Sequence, residues 1–195
     1  MIKLNLGSGN KKYSGFINID DDPNTNPDYL INLDDINIHL PFEDSSVDEI
    51  KAHHILEHIG DGYIPLLKEI YRICKNGALI DVLVPHHQHD IFYDDPTHKR
   101  PITVSGMYLF SKKFNLQDIE RKGSSSTLGL KYDIDFEVID FSFDYDPFYV
   151  PMINNFHQLM SENKLSEQDQ LMFQRLMREA TNVALQTKIK MIAVK

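Results

Sequence analysis

The sequence holds a single cysteine, Cys74, which excludes an internal disulfide, and its spacing within an apolar stripe reads as a buried thiol. No apolar run approaches the ~18 residues that span a bilayer. No charged leader stands ahead of an apolar stretch, so the expectation is a cytoplasmic protein without a membrane span. Basic charge is scarce: 20 Lys and Arg face 29 Asp and Glu, a formal net charge of −9. The longest basic runs, Lys112–Lys113 and Arg121–Lys122, are too short for the patch that phosphate backbones require, so nucleic acid is not an expected partner. Low-complexity tracts and internal repeats are missing too, and 195 residues suit one domain over 1–195.

Two nucleotide signatures are also lacking. There is no G-x-x-x-x-G-K-[ST] phosphate loop, and Lys12 stands where G-x-G-x-x-G needs its third glycine. Asp20 comes too soon after Gly7 for the ribose-binding acid of a dinucleotide fold, which follows about 20 residues on. The stretch Gly7–Gly15 leaves room for at most a turn or two of helix.

What is present alternates between strand-like and helical or looped segments, the pattern of a mostly parallel sheet. Strands are expected at Ile2–Leu6, Phe16–Asp20, Tyr29–Leu33, Val47–His53, Ala78–Val84, Asp133–Tyr145 and Asn182–Val194. Apolar residues at Ile64, Leu67, Ile70, Tyr71 and Cys74 predict a helix with Asp61 as N-cap, stopped by Lys75-Asn76-Gly77. Pro85–Thr103 reads as a long loop, Ser105–Phe110 as a short helix and Gly123–Ser126 as a flexible connection. A further helix opens at Ser166, with Asp169 at N3, and runs through Leu171, Leu176 and Met177 to about Ala180.

Leu4-Asn-Leu-Gly-Ser-Gly-Asn10 sets glycines directly after a strand, where they let the backbone approach a ligand that a Cβ would exclude. With the acid at Asp20, this suits a ligand carrying a ribose diol and no pyrophosphate. The bland alternative is an ordinary loop beside a solvated strand end.

With Gly15-Phe-Ile-Asn-Ile-Asp20, Leu40-Pro-Phe-Glu-Asp-Ser-Ser-Val-Asp-Glu-Ile50, His54-Ile-Leu-Glu-His58 and Cys74-Lys-Asn-Gly-Ala-Leu79 through Val84-Pro-His86 following in order, the chain resembles a class I S-adenosylmethionine-dependent methyltransferase of the small type 11 group. The resemblance implies a Rossmann-like α/β fold: a mostly parallel seven-stranded sheet with an antiparallel C-terminal strand and helices on both faces. Residues 1–84 would form the cofactor-binding half, and 85–195 the acceptor-side loops and last strands. It implies S-adenosylmethionine contacts at Leu6, Gly7, Ser8, Gly9, Asp20, Asp21, Asp35, Ile36, His53 and His54. Gly7 and Gly9 would line the methionine and ribose, Asp20 the ribose diol, and Asp35 with Ile36 the adenine, Asp34 being a rival to Asp35. Two positions depart from the family pattern. Ser8 replaces a usual Cys or Ala, and Asn76-Gly77-Ala78 replaces a glycine pair.

His54-x-x-Glu57-His58 also fits the H-x-x-E-H pattern of some zinc peptidases, but nothing else in the chain supports a peptidase and no metal ligands are assigned there. The run from Pro85 to Pro101 is dense in His and Asp and leaves the carboxyl end of a strand, where open α/β sheets bind ligands. It reads as an acceptor wall with one base, a hydrogen-bonded loop, or a divalent-metal site. The catalytic candidates are His86 first and His54 next. The expected activity is methyl transfer to an unidentified small-molecule or glycan-type acceptor, through an O or N nucleophile. A catalytically silent cofactor-binding module in an assembly and a nicotinamide oxidoreductase are the alternatives.

Overall fold

The computed structural model describes residues 1–162, 164, 166–168, 170–171, 173, 175 and 181–195. Seven strands make one sheet: β1 (Lys3–Leu6), β2 (Ile17–Asp20), β3 (Tyr29–Leu30), β4 (Val47–His53), β5 (Cys74–Pro85), β6 (Phe136–Tyr145) and β7 (Ala184–Ala193). Their order is β3-β2-β1-β4-β5-β7-β6. The first five run parallel, and β7 lies antiparallel between β5 and β6. The expected Rossmann-like sheet with its antiparallel C-terminal strand is therefore present.

Period-two alternation divides the sheet into two unlike faces. Leu4, Ile50, Ile80 and Met191 share one register row and are buried. They join one apolar cluster with Leu66, Leu67, Ile70 and Ile73 of α1 (Tyr63–Ile73), so that helix packs on their side. The next row runs Asn18, Asn5, Lys51, Asp81, Lys190, Asp140 across six strands, with Lys51 2.8 Å from Asp81. There the chain between β1 and β2 forms turns without a helix and lays Tyr13 over the row, the Lys51 ammonium 5.2 Å from its ring.

Several boundaries differ from expectation. The cap of α1 is Gly62, with no side-chain cap bond, and not Asp61. Asp34 Oδ1 accepts from the Gly60 and Gly62 N–H groups at 2.7 and 2.9 Å. A Cβ on Gly62 would sit 2.5 Å from the Asp34 carbonyl carbon, so the close approach demands glycine. Lys75-Asn76-Gly77 does not end the helix; it lies in β5, because Cys74 already pairs with Val47 and the register slips before Glu49 meets Leu79. Strand β3 stops at Leu30.

Beyond β5, α2 (Asp90–Asp94) interrupts the expected loop, and the short helix α3 spans Val104–Tyr108. Three helices escaped the sequence reading: α4 (Lys112–Glu120), α5 (Leu128–Tyr132) and α6 (Val150–Ser161). In the helix expected from Ser166, the described residues 167–168, 170–171, 173 and 175 are helical; Asp169, Leu176, Met177 and Ala180 lie outside those described. No helix among the described residues is long and apolar enough to cross a membrane.

Candidate functional site

Between the carboxyl ends of β1 and β2 and the chain beyond β3 opens a cavity of about 610 Å³. Its walls include Gly7, Asp20, Asp21, Leu33, Asp34 and Ile55. Gly7 adopts φ +61°, and a Cβ there would meet Ile55 at 2.7 Å, so both backbone angle and space select glycine. The Gly9 N–H donates to Asp20 Oδ2 at 2.7 Å, and the Asp22 N–H donates to Oδ1 at 3.0 Å. Asp20 is thus buried but supplied with donors, and each oxygen keeps a further lone pair for a ligand.

The opposite wall depends on Asp34. Lys99 Nζ donates to its Oδ2 at 2.5 Å, while its Oδ1 holds Gly60 and Gly62. Burial pushes this carboxyl up, yet Lys99 and the Gly62 and Gly60 amides outweigh it and hold the group below its ordinary value. Arg100 clamps the same loop by donating to the Ile59 and Gly60 carbonyls at 2.8 and 2.6 Å, its guanidinium 4.4 Å from the Tyr63 ring centre. Lys99 and Thr97 line the cavity as well, which the sequence had offered only as members of an aperiodic loop.

Of the expected cofactor contacts, the structure brings Gly7, Asp20 and Asp21 to the cavity. Gly9 reaches it through Asp20. Leu6 is fully buried in the core, and Ser8 is buried with its Oγ accepting from Lys12 Nζ at 3.1 Å. Asp35 is exposed and accepts from the Asn37 N–H, and Ile36 borders a separate hollow with Ile64 and Tyr132; Asp34 takes the cavity position in place of Asp35. His53 lies on the polar face, 2.9 Å from Tyr13 Oη and 3.2 Å from Asp81 Oδ2. His53 and Lys51 together hold Asp81 well below the usual carboxylate range.

The two catalytic candidates follow the last residues of the neighbouring strands β4 and β5, and neither is in the walls of the cavity. His54 takes φ +56°, unusual for a non-glycine, while its N–H donates to the Leu83 carbonyl at 2.7 Å. Its Nε2 faces the Gln186 amide nitrogen at 3.4 Å, an interaction in which the imidazole accepts. His86 is packed between His87 and Phe143, with ring centres 4.5 and 5.6 Å away. Burial, reinforced by His87 and His89, pushes it down to about 4, so its ring is neutral at pH 7. The Gln88 N–H donates to its Nδ1 at 3.3 Å, which leaves the proton on Nε2.

A family model described as a methyltransferase domain matches residues 19–81. An uncharacterized protein of Methanocaldococcus jannaschii is 37% identical over 71 residues, which are 34% of this chain and 31% of that one, so the match spans about a third of the relative's length. A SAM-dependent methyltransferase from Archaeoglobus fulgidus superposes with a TM-score of 0.56 at 14% identity, covering 97% of this chain and 85% of that one. The [4+2]-cyclase SpnF superposes at 0.53 with 13% identity, covering 98% and 75%. The strand order, glycine turn and acidic strand end define the Rossmann-like architecture of class I methyltransferases. The segment that matches the methyltransferase-domain model runs from β2 into β5, about a third of the chain, and carries the glycine turn's partner Asp20.

Proposed function

We propose that this chain binds S-adenosylmethionine in the cavity beside Gly7 and Asp20 and transfers its methyl group to a small-molecule or glycan-type acceptor bearing an O or N nucleophile. The observation that carries the reading is the glycine turn: at φ +61° Gly7 turns the chain tightly against Ile55 into the cavity wall, and the Gly9–Asp20 bond holds the Asp20 carboxylate in that same wall. A volume of about 610 Å³ lies within the roughly 300–1,000 Å³ of ordinary ligand pockets. When bound, the cofactor supplies an electrophilic methyl group on a sulfonium.

The chain's own residues bind and orient. Asp20 offers its remaining lone pairs to the ribose hydroxyls, a charge-assisted contact. Asp21, Leu33 and Asp34 enclose the base end. On the acceptor side, His54 is the better proton acceptor, because its side chain is 43% exposed whereas burial pushes His86 down to about 4 and makes it the weaker base. Positioning supplies the larger part of the rate enhancement, and a base adds to it when the acceptor must lose a proton.

A second reading is a nucleoside-cofactor module without methyl transfer. It draws on the position of both histidines outside the cavity walls and on the similarity of this fold to that of a cyclase. Calorimetry with S-adenosylmethionine, S-adenosylhomocysteine and NAD, followed by an acceptor screen with labelled methyl donor, separates the readings. Cofactor binding with labelled product supports transfer; cofactor binding with no product across acceptor classes supports the silent module. NAD binding alone would return the chain to the oxidoreductases.

A further inference from the structure

Glu57 is 1% exposed, and neither carboxylate oxygen has a hydrogen-bond partner among the described residues. An isolated buried carboxylate is costly, so it must be neutralised or matched by a positive group. The nearest titratable neighbour is His54, whose Nδ1 stands 3.6 Å from Oε1, longer than a hydrogen bond. One donor atom from each of Glu57, His58 and His98 also lies within 4.8 Å of the others.

Both imidazoles are held in one tautomer. His98 Nδ1 donates to the Phe92 carbonyl at 2.6 Å, which can only accept, so in the neutral ring the lone pair is on Nε2, 4.0 Å from Asp95 Oδ2. Thr97 Oγ1 donates to Asp95 Oδ1 at 2.6 Å, so its oxygen accepts from His58 Nδ1 at 2.9 Å, and His58 Nε2 likewise keeps its lone pair. Imidazoles fixed through Nδ1–H by a carbonyl, or by a hydroxyl backed by a carboxylate, are the usual support of metal-bound histidine. The backbone assists: the Glu57 carbonyl accepts from the Lys99 and Arg100 N–H groups at 2.7 and 3.3 Å, tying the His98 loop to the Glu57 turn.

We propose that Glu57, His58 and His98 bind one divalent transition-metal ion, zinc by preference, that clamps the 95–100 loop onto the 56–58 turn. Two imidazoles and one carboxylate suit zinc better than a hard oxygen-seeking cation. Three donors bound to one ion at about 2.0–2.2 Å stand roughly 3.3–3.6 Å apart, so donors that now lie within 4.8 Å would close by up to about 1.5 Å through side-chain rotation. The ion would stand at the edge of the described cavity, to which His58 and Thr97 both contribute. It would leave coordination positions free. The site combines His58 of the H-x-x-E-H stretch with a histidine from the distant loop, and His54 of that stretch is not a ligand.

The test uses the full chain, stripped of metal by chelation and dialysis, titrated with Co²⁺ under visible absorption and then with Zn²⁺. One equivalent of Co²⁺ should develop ligand-field bands that Zn²⁺ abolishes. Glu57→Gln and His98→Gln should lose the bands, and Thr97→Val should bind about 10–100-fold more weakly. His87→Ala, in the neighbouring histidine run, should bind as the parent does. Absence of bands in folded parent protein would overturn the proposal, as would equal binding by the parent, Glu57→Gln and Thr97→Val. Should His98→Gln fail to fold, the near-isosteric Glu57→Gln and the surface change Thr97→Val decide alone.

Discussion

Gly9 and Asp20 meet across the first crossover: the Gly9 N–H donates to Asp20 Oδ2 at 2.7 Å, fastening the turn after β1 to the end of β2. One carboxylate therefore shapes the turn and faces the cavity. Asp20→Ala should weaken S-adenosylhomocysteine binding by about 1.5–3 kcal/mol, the scale of a charge-assisted bond. Asp20→Asn should recover part of it by restoring an acceptor. Isothermal titration of both variants measures this; undiminished binding in Asp20→Ala would remove the residue from the site.

Asp34 is a structural clamp in the cavity wall. Asp34→Ala frees the Gly60 and Gly62 amides and the Lys99 ammonium together. A loss of about 1–3 kcal/mol in urea unfolding is expected. Asp35→Ala, whose side chain caps only a local turn, should stay within about 0.5 kcal/mol of the parent.

His86 should make stability pH-dependent. Its pKa falls from 6.5 to about 4 on folding, so the unfolded chain binds the proton more tightly. Its contribution is fully present above 6.5 and is lost as the pH falls from there towards 4. His87, also pushed down by burial, adds in the same direction. The urea midpoint should drop between pH 7 and pH 5, and drop less in His86→Gln. An equal drop in parent and variant would assign the effect to other groups.

Cys74 closes α1 and opens β5 in full burial, which pushes its thiol up to about 12. A thiol held protonated and inaccessible does not attack disulfides. The native protein should show no thiol reactive with Ellman's reagent, and one after unfolding; rapid native reaction would contradict the packing.

The parts legible in the sequence were those with local causes. The stripe Ile64, Leu67, Ile70 and Tyr71 forms α1 because one side of it meets the sheet. The glycines after β1 announced their backbone. What stayed hidden was decided by distant partners. Lys75-Asn76-Gly77 carries a helix stop, but pairing of Cys74 with Val47 makes it a bulge in β5. Helix α4 escaped because it leaves Leu116 and Ile119 more than half exposed and buries Asn115, which donates to the Leu109 carbonyl and accepts from the Leu130 N–H. Asp34 and Asp35 are neighbours in sequence, and only the return of Gly60, Gly62 and Lys99 distinguishes them.

The acceptor side is tested by single-turnover methylation once an acceptor is found. His54→Ala should slow the chemical step by about 10²–10⁴ for an acceptor that loses a proton, with cofactor affinity little changed. His86→Ala should slow it less, because burial pushes its pKa down to about 4 and makes it a weak base. A larger effect at His86 would reverse the assignment.

The central claim is that the cavity beside Gly7 takes S-adenosylmethionine, and thermal unfolding with S-adenosylhomocysteine tests it most directly. Ligand at a hundred times its dissociation constant should stabilise the folded protein by about 2.7 kcal/mol and raise Tm accordingly. Gly7→Ala, which sets a Cβ against Ile55, should abolish the rise. A folded parent protein whose Tm does not move at millimolar S-adenosylhomocysteine would contradict the account.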